Sequence, residues 1–336
     1  MGASCARVAA LAALTLTAGA CGGAETAGSR SMDGPATASS THRWRPLDHA
    51  TLRRTEVGAA RVGRFIYVVG GFLPSTQTTD AVERYDIGRD RWQRVPSMPI
   101  AVNHAAVASL RGRLYVYGGY TDSSFGAVTA ALQRYDPKTK SWALLPESPT
   151  PRAAAAMAAA GGMLYVAGGT VGGEPLATLE IFDPAQQAWS GGPAMDIARE
   201  HIAATAAKGD VYVIGGRVGG HNLRAVERYS PEVERWRRLP PLRTARSGIA
   251  AVTVRGRPVV FGGEQLAAGG TTIRPVELFD VDRRRWLRLP GMRTPRHGLG
   301  GAALGRRVYA LEGGPQPGFA FSSRLEFLDV PRRLLR

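Results

Sequence analysis

The chain has 336 residues, of which 44% are hydrophobic and 21% charged, and its net charge is +16. That balance is globular and excludes a disordered or fibrous chain, while the length could hold two ordinary domains. The basic excess is almost all arginine (Lys138, Lys140 and Lys208 are the lysines) and is scattered along the chain, so it gives no nucleic-acid footprint.

Residues 1–21 read as a secretory leader. Arg7 supplies the positive start, an apolar stretch runs from Val8 to about Leu16, and Ala18, Gly19 and Ala20 precede Cys21. The stretch is shorter than the roughly 20 apolar residues of a permanent membrane span. Small residues directly before a cysteine resemble the bacterial lipobox, which implies acylation of Cys21 as the new N-terminus. Ala18 stands where that motif usually has Leu, and cleavage by ordinary signal peptidase is the alternative. The two cysteines, Cys5 and Cys21, both fall in this region, so the body can form no internal disulfide. Residues 22–41, rich in Gly, Ala, Ser and Thr, read as a flexible tether. The expectation is an extracytoplasmic protein lipid-anchored to a bacterial membrane, or otherwise a secreted or periplasmic one.

From residue 42 onward the chain repeats itself. Glycine pairs begin at Gly70, Gly118, Gly168, Gly215, Gly262 and Gly313, spaced by 48, 50, 47, 47 and 51 residues. The six tryptophans, Trp44, Trp92, Trp142, Trp189, Trp236 and Trp286, precede them by 26 residues in five copies and 27 in the last. An aromatic residue stands seven before Trp in five copies: Tyr85, Tyr135, Phe182, Tyr229 and Phe279. A glycine doublet closing an apolar strand, then Tyr and Trp seven apart with a period near 50, resembles the kelch repeat. The resemblance covers residues 44–330 and implies an all-β, six-bladed β-propeller with four antiparallel strands per blade around a channel, spanning residues 42–336.

Each strand shows why it suits its place. The first is built of small residues, as in Ala153 to Ala160, because six inner strands meet at a crowded axis. The second is apolar on both faces, as in Val211-Tyr212-Val213-Ile214, because neighbouring blades sandwich it. The third alternates, as in Val226-Glu227-Arg228-Tyr229, and the fourth carries Trp. The last copy has no Trp after Leu325–Asp329, while Trp44 has no glycine pair before it. Residues 42–47 are therefore expected to complete the sixth blade and remove its open edge.

The loops between second and third strands are the longest and share one face, which makes that face the expected binding surface. Inner strands begin with Arg54, Arg152, Arg199, Arg246 and Arg296, with Val102 in the second copy. These could form a partial ring at the channel mouth that grips an anion or a polar sugar. Alternatively they pair with the equally recurrent Glu83, Glu180, Glu227, Glu277 and Glu326. Residues that break the repeat are better candidates: His104, Glu200, His201 and His297 stand where other copies have Ala, Ser, Thr or Gly. Phe72, Tyr120, Phe125, Phe319 and Phe321 could stack on a ligand or pack their loops. The histidines show no metal-ligand spacing and the body has no Cys, so neither metal nor cofactor is expected.

The resemblance implies a monomeric binding module for an envelope protein or a glycan, with no nucleic-acid partner. The alternative is a carbohydrate enzyme such as a sialic acid mutarotase (epimerase), also a kelch propeller. It would need an acid/base group beside a carboxylate-binding arginine, which Glu200 with Arg199, or His201 with Arg152, could supply. A galactose oxidase-like reading fails, because the body lacks the cysteine for a Cys–Tyr cross-link.

Overall fold

The computed structural model describes residues 42–335; the leader with Cys21 and the linker 22–41 lie outside the described residues. The described chain forms six antiparallel sheets arranged as the blades of a propeller, each with four main strands and one with a short extra strand, Thr271–Thr272, at its loop end. In the first blade the strands run Gly58–Val62, Phe65–Val69, Val82–Asp86 and Arg91–Val95, from axis to rim. The inner strands of the following blades are Ala106–Leu110, Ala156–Ala160, Ala203–Ala207, Ser247–Val254 and Gly300–Leu304. Two-residue ribbons stiffen some long loops, such as Thr170–Val171 against Glu174–Pro175 and Arg217–Val218 against His221–Asn222.

Crowding at the axis explains the small residues. A Cβ on Gly58 would stand 2.1 Å from Val107 Cγ2, and one on Gly300 2.6 Å from Ala59 Cβ, both inside van der Waals contact. The hydrophobic core lies between blades, where second-strand residues such as Val68, Val116, Val166 and Val213 are wholly buried. Toward the rim each Trp packs on the aromatic residue across from it in the third strand, with ring centroids 5.0–5.3 Å apart in five blades. Its indole N–H then reaches back to a carbonyl on the preceding blade, for example Trp142 to Pro96 at 2.9 Å and Trp286 to Pro240 at 2.8 Å.

The sixth blade is assembled from both ends of the described chain. Gly300–Leu304, Arg307–Leu311 and Leu325–Asp329 form three strands, and Arg45–Pro46 adds the fourth, with Arg45 opposite Phe327 and Pro46 opposite Glu326. Trp44 is 3% exposed, packs on Phe261 at 5.9 Å and donates to the Pro290 carbonyl at 2.9 Å. The expected closure by residues 42–47 is the observed one.

The glycine doublets hold neighbouring blades together. The second glycine donates its N–H to the residue that opens the next blade: Gly71 to Val102, Gly119 to Arg152, Gly169 to Arg199, Gly216 to Arg246 and Gly263 to Arg296, at 2.8–3.0 Å. A Cβ on Gly70 would lie 2.2 Å from the Val102 carbonyl oxygen, so the close approach requires glycine. At the seam Gly313 donates to Arg54, and the belt closes. The extra residue in the last Trp-to-glycine spacing is thereby explained. Glu312, at φ 52°, takes the place of the first glycine, and Gly313 that of the second.

Candidate functional site

A second closed belt of backbone bonds surrounds the axis two residues further on. Each blade contributes one residue in the left-handed region: Glu56, His104, Ala154, His201, Gly248 and Gly298, with φ between 51° and 61°. His104 N donates to Glu56 O, Ala154 to His104, His201 to Ala154, Gly248 to His201 and Gly298 to Gly248, at 2.9–3.1 Å. Val57 N donates to Gly298 O at 3.2 Å and closes the circle. Backbone amides thus fix six positions around the channel mouth, four of which carry a side chain.

The five arginines do not face that mouth. Arg54, Arg152, Arg199, Arg246 and Arg296 are all 0% exposed. Each pairs with the third-strand glutamate of its own blade: Glu83, Glu180, Glu227, Glu277 and Glu326 respectively. Most also bond the carbonyl of their blade's first glycine, as Arg152 Nη1 does to Gly168 at 3.1 Å. The second blade, which lacks the arginine, also lacks the acid: Val102 is matched by Gln133, whose amide bonds both backbone groups of Ile100. Paired loss of both charges marks the pair as structural, since a lone buried charge is costly. The ring of anion-binding arginines expected from sequence is corrected accordingly, and neither Arg199 nor Arg152 reaches the acid/base candidates.

The candidates that break the repeat do come together. His104, Glu200, His201 and His297 line one cavity of about 400 Å³ on the axis at the long-loop face. Glu56, Arg217 and Glu264, which sequence reasoning missed, line it with them. Pairing across the mouth supplies the missing members. The residue before each belt position pairs with the first residue after that blade's glycine doublet: Thr55 with Phe72, Asn103 with Tyr120, Glu200 with Arg217, Ser247 with Glu264 and His297 with Gly314. The register itself was the available signal for Glu56, which lies two residues after Arg54 as His201 lies two after Arg199.

The cavity has two unlike halves. Phe72, Tyr120, Phe125 and Phe319 form an aromatic wall, with Phe72 5.8 Å from Phe125 and 5.2 Å from Phe319. Phe125 and Phe319 are 46% and 48% exposed and stack at 6.3 Å. Phe321 instead meets Arg53 through its carbonyl. Opposite stands a charged wall, in which Arg217 Nε donates to Glu200 at 2.6 Å and Nη1 to Glu264 at 3.2 Å. On the floor, His104 Nε2 is 3.2 Å from Glu56 Oε2, His297 Nε2 is 3.3 Å from Glu56 Oε1, and His201 Nδ1 bonds Glu200. The His104 and His201 ring centroids are 4.8 Å apart.

Burial and mutual charge set the ionisation of these groups. Burial lowers the His104 imidazole to about 4, outweighing the pull of Glu56, so it is neutral at physiological pH. Burial alone would raise the Glu56 carboxyl, but His104, His297, His201 and Arg217 together hold it below its ordinary value. Glu200 is likewise opposed by burial, and His201 and Arg217 bring it down to about 2. Linear spacing showed no metal-ligand set; the belt register nevertheless brings Glu56, His104 and His201 together with potential ligand atoms within 4.8 Å.

A family model described as the KLHDC2/KLHL20/DRC7 Kelch-repeats domain matches residues 56–243. The chain is similar to Kelch-like protein terF of Aspergillus terreus, 38% identical over 86 residues, 23% of this chain and 19% of that protein. It is also similar to Kelch-like protein 38 of Mus musculus, 35% identical over 78 residues, 23% of this chain and 13% of that protein. The chain thus spans less than a fifth of the length of these curated relatives. Among solved structures, that of YjhT superposes with a TM-score of 0.72 at 17% identity, covering 83% of this chain and 95% of that one. At that identity the likeness speaks to the fold alone.

Proposed function

The chain belongs to the kelch-repeat family, and from that premise we propose that it is a recognition protein. It takes a sugar residue of a glycan, or a polar group of a partner protein, into the axial cavity from the long-loop face. The observation that carries this reading is the cavity's division into an aromatic wall and a polar wall over a shared floor. A pyranose has an apolar face that stacks on phenyl rings and an edge of hydroxyls that bonds carboxylates and guanidinium. A volume of about 400 Å³ lies in the range of small-ligand sites. Three acidic side chains (Glu56, Glu200 and Glu264) face one guanidinium, Arg217, which favours a neutral ligand over an anionic one.

In the same reading the protein works outside the cytoplasm as a monomer, anchored through a lipid on Cys21 or, without it, secreted or periplasmic. Fatty-acid labelling that is lost in Cys21→Ala tests the anchor. The recognition itself is tested by a glycan array and an envelope-protein pull-down, comparing the wild type with the Phe125→Ala, Phe319→Ala double variant. Capture by the wild type that the double variant loses supports the cavity; equal capture by both refutes it.

One observation favours a second reading as a carbohydrate enzyme such as a sialic acid mutarotase. Glu200, His201 and Arg217 form a hydrogen-bonded chain beside the cavity that could pass a proton to or from a sugar hydroxyl. The surplus of acidic groups opposes a sialate. Sugar-ring exchange followed by NMR decides: no acceleration over buffer removes this reading.

A further inference from the structure

We propose that the floor of the axial cavity binds one divalent transition-metal ion through the Glu56 carboxylate and the Nε2 atoms of His104 and His201. This goes beyond the recognition reading and does not depend on it.

The first support is the orientation of the two imidazoles. The side-chain amide of Asn103 is held from its nitrogen, which donates to Thr78 Oγ1 at 2.8 Å, to the Asp122 carbonyl at 2.9 Å and to the Tyr120 carbonyl at 3.2 Å. Its oxygen therefore faces His104 Nδ1, 2.6 Å away, and that nitrogen must be the donor. The ring then turns its Nε2 toward Glu56 Oε2, 3.2 Å away. Two electron-rich atoms do not face each other at that distance without a proton or a cation to share. His201 repeats the pattern: Nδ1 donates to the Glu200 carboxylate, which leaves Nε2 as the acceptor. An imidazole whose far N–H is fixed by an amide oxygen or a carboxylate has the outer shell typical of metal-bound histidine.

The second support is distance and charge. Ligands placed about 2.1 Å from one zinc ion stand roughly 3.4 Å apart at tetrahedral angles, close to the 3.2 Å between His104 Nε2 and Glu56 Oε2. The triad's ligand atoms all lie within 4.8 Å of one another, so closing on one ion needs a shift of up to about 1.4 Å. Arg217 Nη2, now 3.1 Å from His201 Nε2, would yield that lone pair and keep Glu200 and Glu264 as partners. A divalent cation also offsets the surplus of acidic groups over Arg217.

The third support is the backbone. Glu56, His104 and His201 hold left-handed conformations on belt positions that two other blades fill with glycine. Such conformations are costly for a residue with a side chain and cluster at functional sites. Gly298 is cut away to fit: a Cβ there would lie 2.4 Å from Glu56 Oε1. Two nitrogens and one oxygen suit Zn²⁺, Fe²⁺ or Co²⁺, and three protein ligands leave a position open toward the cavity.

The test uses the folded, untagged chain, stripped with a chelator and titrated with Zn²⁺ by calorimetry and with Co²⁺ by visible absorption. The expected result is one ion per chain with a dissociation constant in the micromolar range or below, and ligand-field bands from Co²⁺. His104→Asn, His201→Asn and Glu56→Gln should each weaken binding roughly tenfold or more; asparagine is chosen because it tolerates the left-handed backbone. His221→Asn, on an exposed loop, should leave binding unchanged. Zn²⁺ should raise the melting temperature of the wild type and not of the triad variants. No saturable uptake by the wild type, or uptake that persists unchanged in His104→Asn and His201→Asn, overturns the proposal. Loss of glycan or protein capture with metal uptake intact counts only against the recognition reading.

Discussion

Trp44→Ala tests how the ring closes. The strand that completes the sixth blade pairs through only two residues, Arg45 and Pro46, so it has little ladder of its own to rely on. Leu47 and Ala50 add backbone bonds to Leu325 and Ser323, and Trp44 adds the apolar anchor, its side chain almost wholly buried against Phe261 and its N–H on the Pro290 carbonyl. Removing a buried Trp side chain costs about 3–5 kcal/mol, and the abandoned carbonyl adds about 1 kcal/mol. A loss of about 4–6 kcal/mol is a large part of a typical domain's stability and corresponds to a melting temperature lower by about 6–10 °C for a chain of this size. The control is Trp142→Ala. Trp142 makes the same bond to Pro96, but it is half-buried and sits in a blade whose four strands are continuous in sequence. Melting curves by calorimetry or circular dichroism give the comparison. The reasoning fails if Trp44→Ala melts within about 3 °C of the wild type, or if Trp142→Ala costs as much.

Arg199→Val strands Glu227 as a buried unpaired charge and should cost about 3–5 kcal/mol in chemical denaturation. Adding Glu227→Gln copies the second blade's Val102 and Gln133 and should restore most of the loss. No recovery in the double variant would contradict the structural reading of the pair. Burial pushes the Glu312 carboxyl up to about 7, against the pull of Arg54. Because the folded value lies above the ordinary one, its contribution to stability is full below about pH 4.5 and declines as pH rises through 7. The decline is at most about 3 kcal/mol, and Glu312→Gln should flatten it in denaturation midpoints measured from pH 4.5 to 8. Phe125→Ala with Phe319→Ala should change stability by less than about 0.5 kcal/mol yet weaken ligand capture about tenfold, as expected for lost ring stacking. A large drop in melting temperature would reassign these rings to loop packing.

Much of the fold was legible because its signals are local. A glycine doublet, a period-two strand and a Trp seven residues after an aromatic each report on one blade, and counting them exposes the unpaired Trp44 and the blade without an outer strand. The site was legible only in part. Sequence position puts an arginine shortly before the inner strand in five blades but cannot tell which way its side chain turns. The clue was Gln133 standing beside Val102, a joint departure from the Arg–Glu pattern. His104, Glu200, His201 and His297 were visible as departures from small residues. Arg217 and Glu264 were not, because they enter from the opposite strand of each pair, and long loops give no register to compare. Glu56 carries no signal of its own in the first copy, because it stands two residues after Arg54 in a segment with no other departure from the repeat.

The backbone belt at Glu56, His104, Ala154, His201, Gly248 and Gly298 separates architecture from chemistry. Since amides alone close the circle, any of its slots can change its side chain without breaking it, provided the newcomer tolerates a left-handed backbone. The axis is in effect a six-slot display, and what this protein can hold there is written as a circular word: Glu, His, Ala, His, Gly, Gly. Exchanging the second and fifth blades would keep the same six residues on the belt yet leave the carboxylate with glycine on both sides and no imidazole in a neighbouring slot. Order around the circle is therefore a variable of its own, independent of composition.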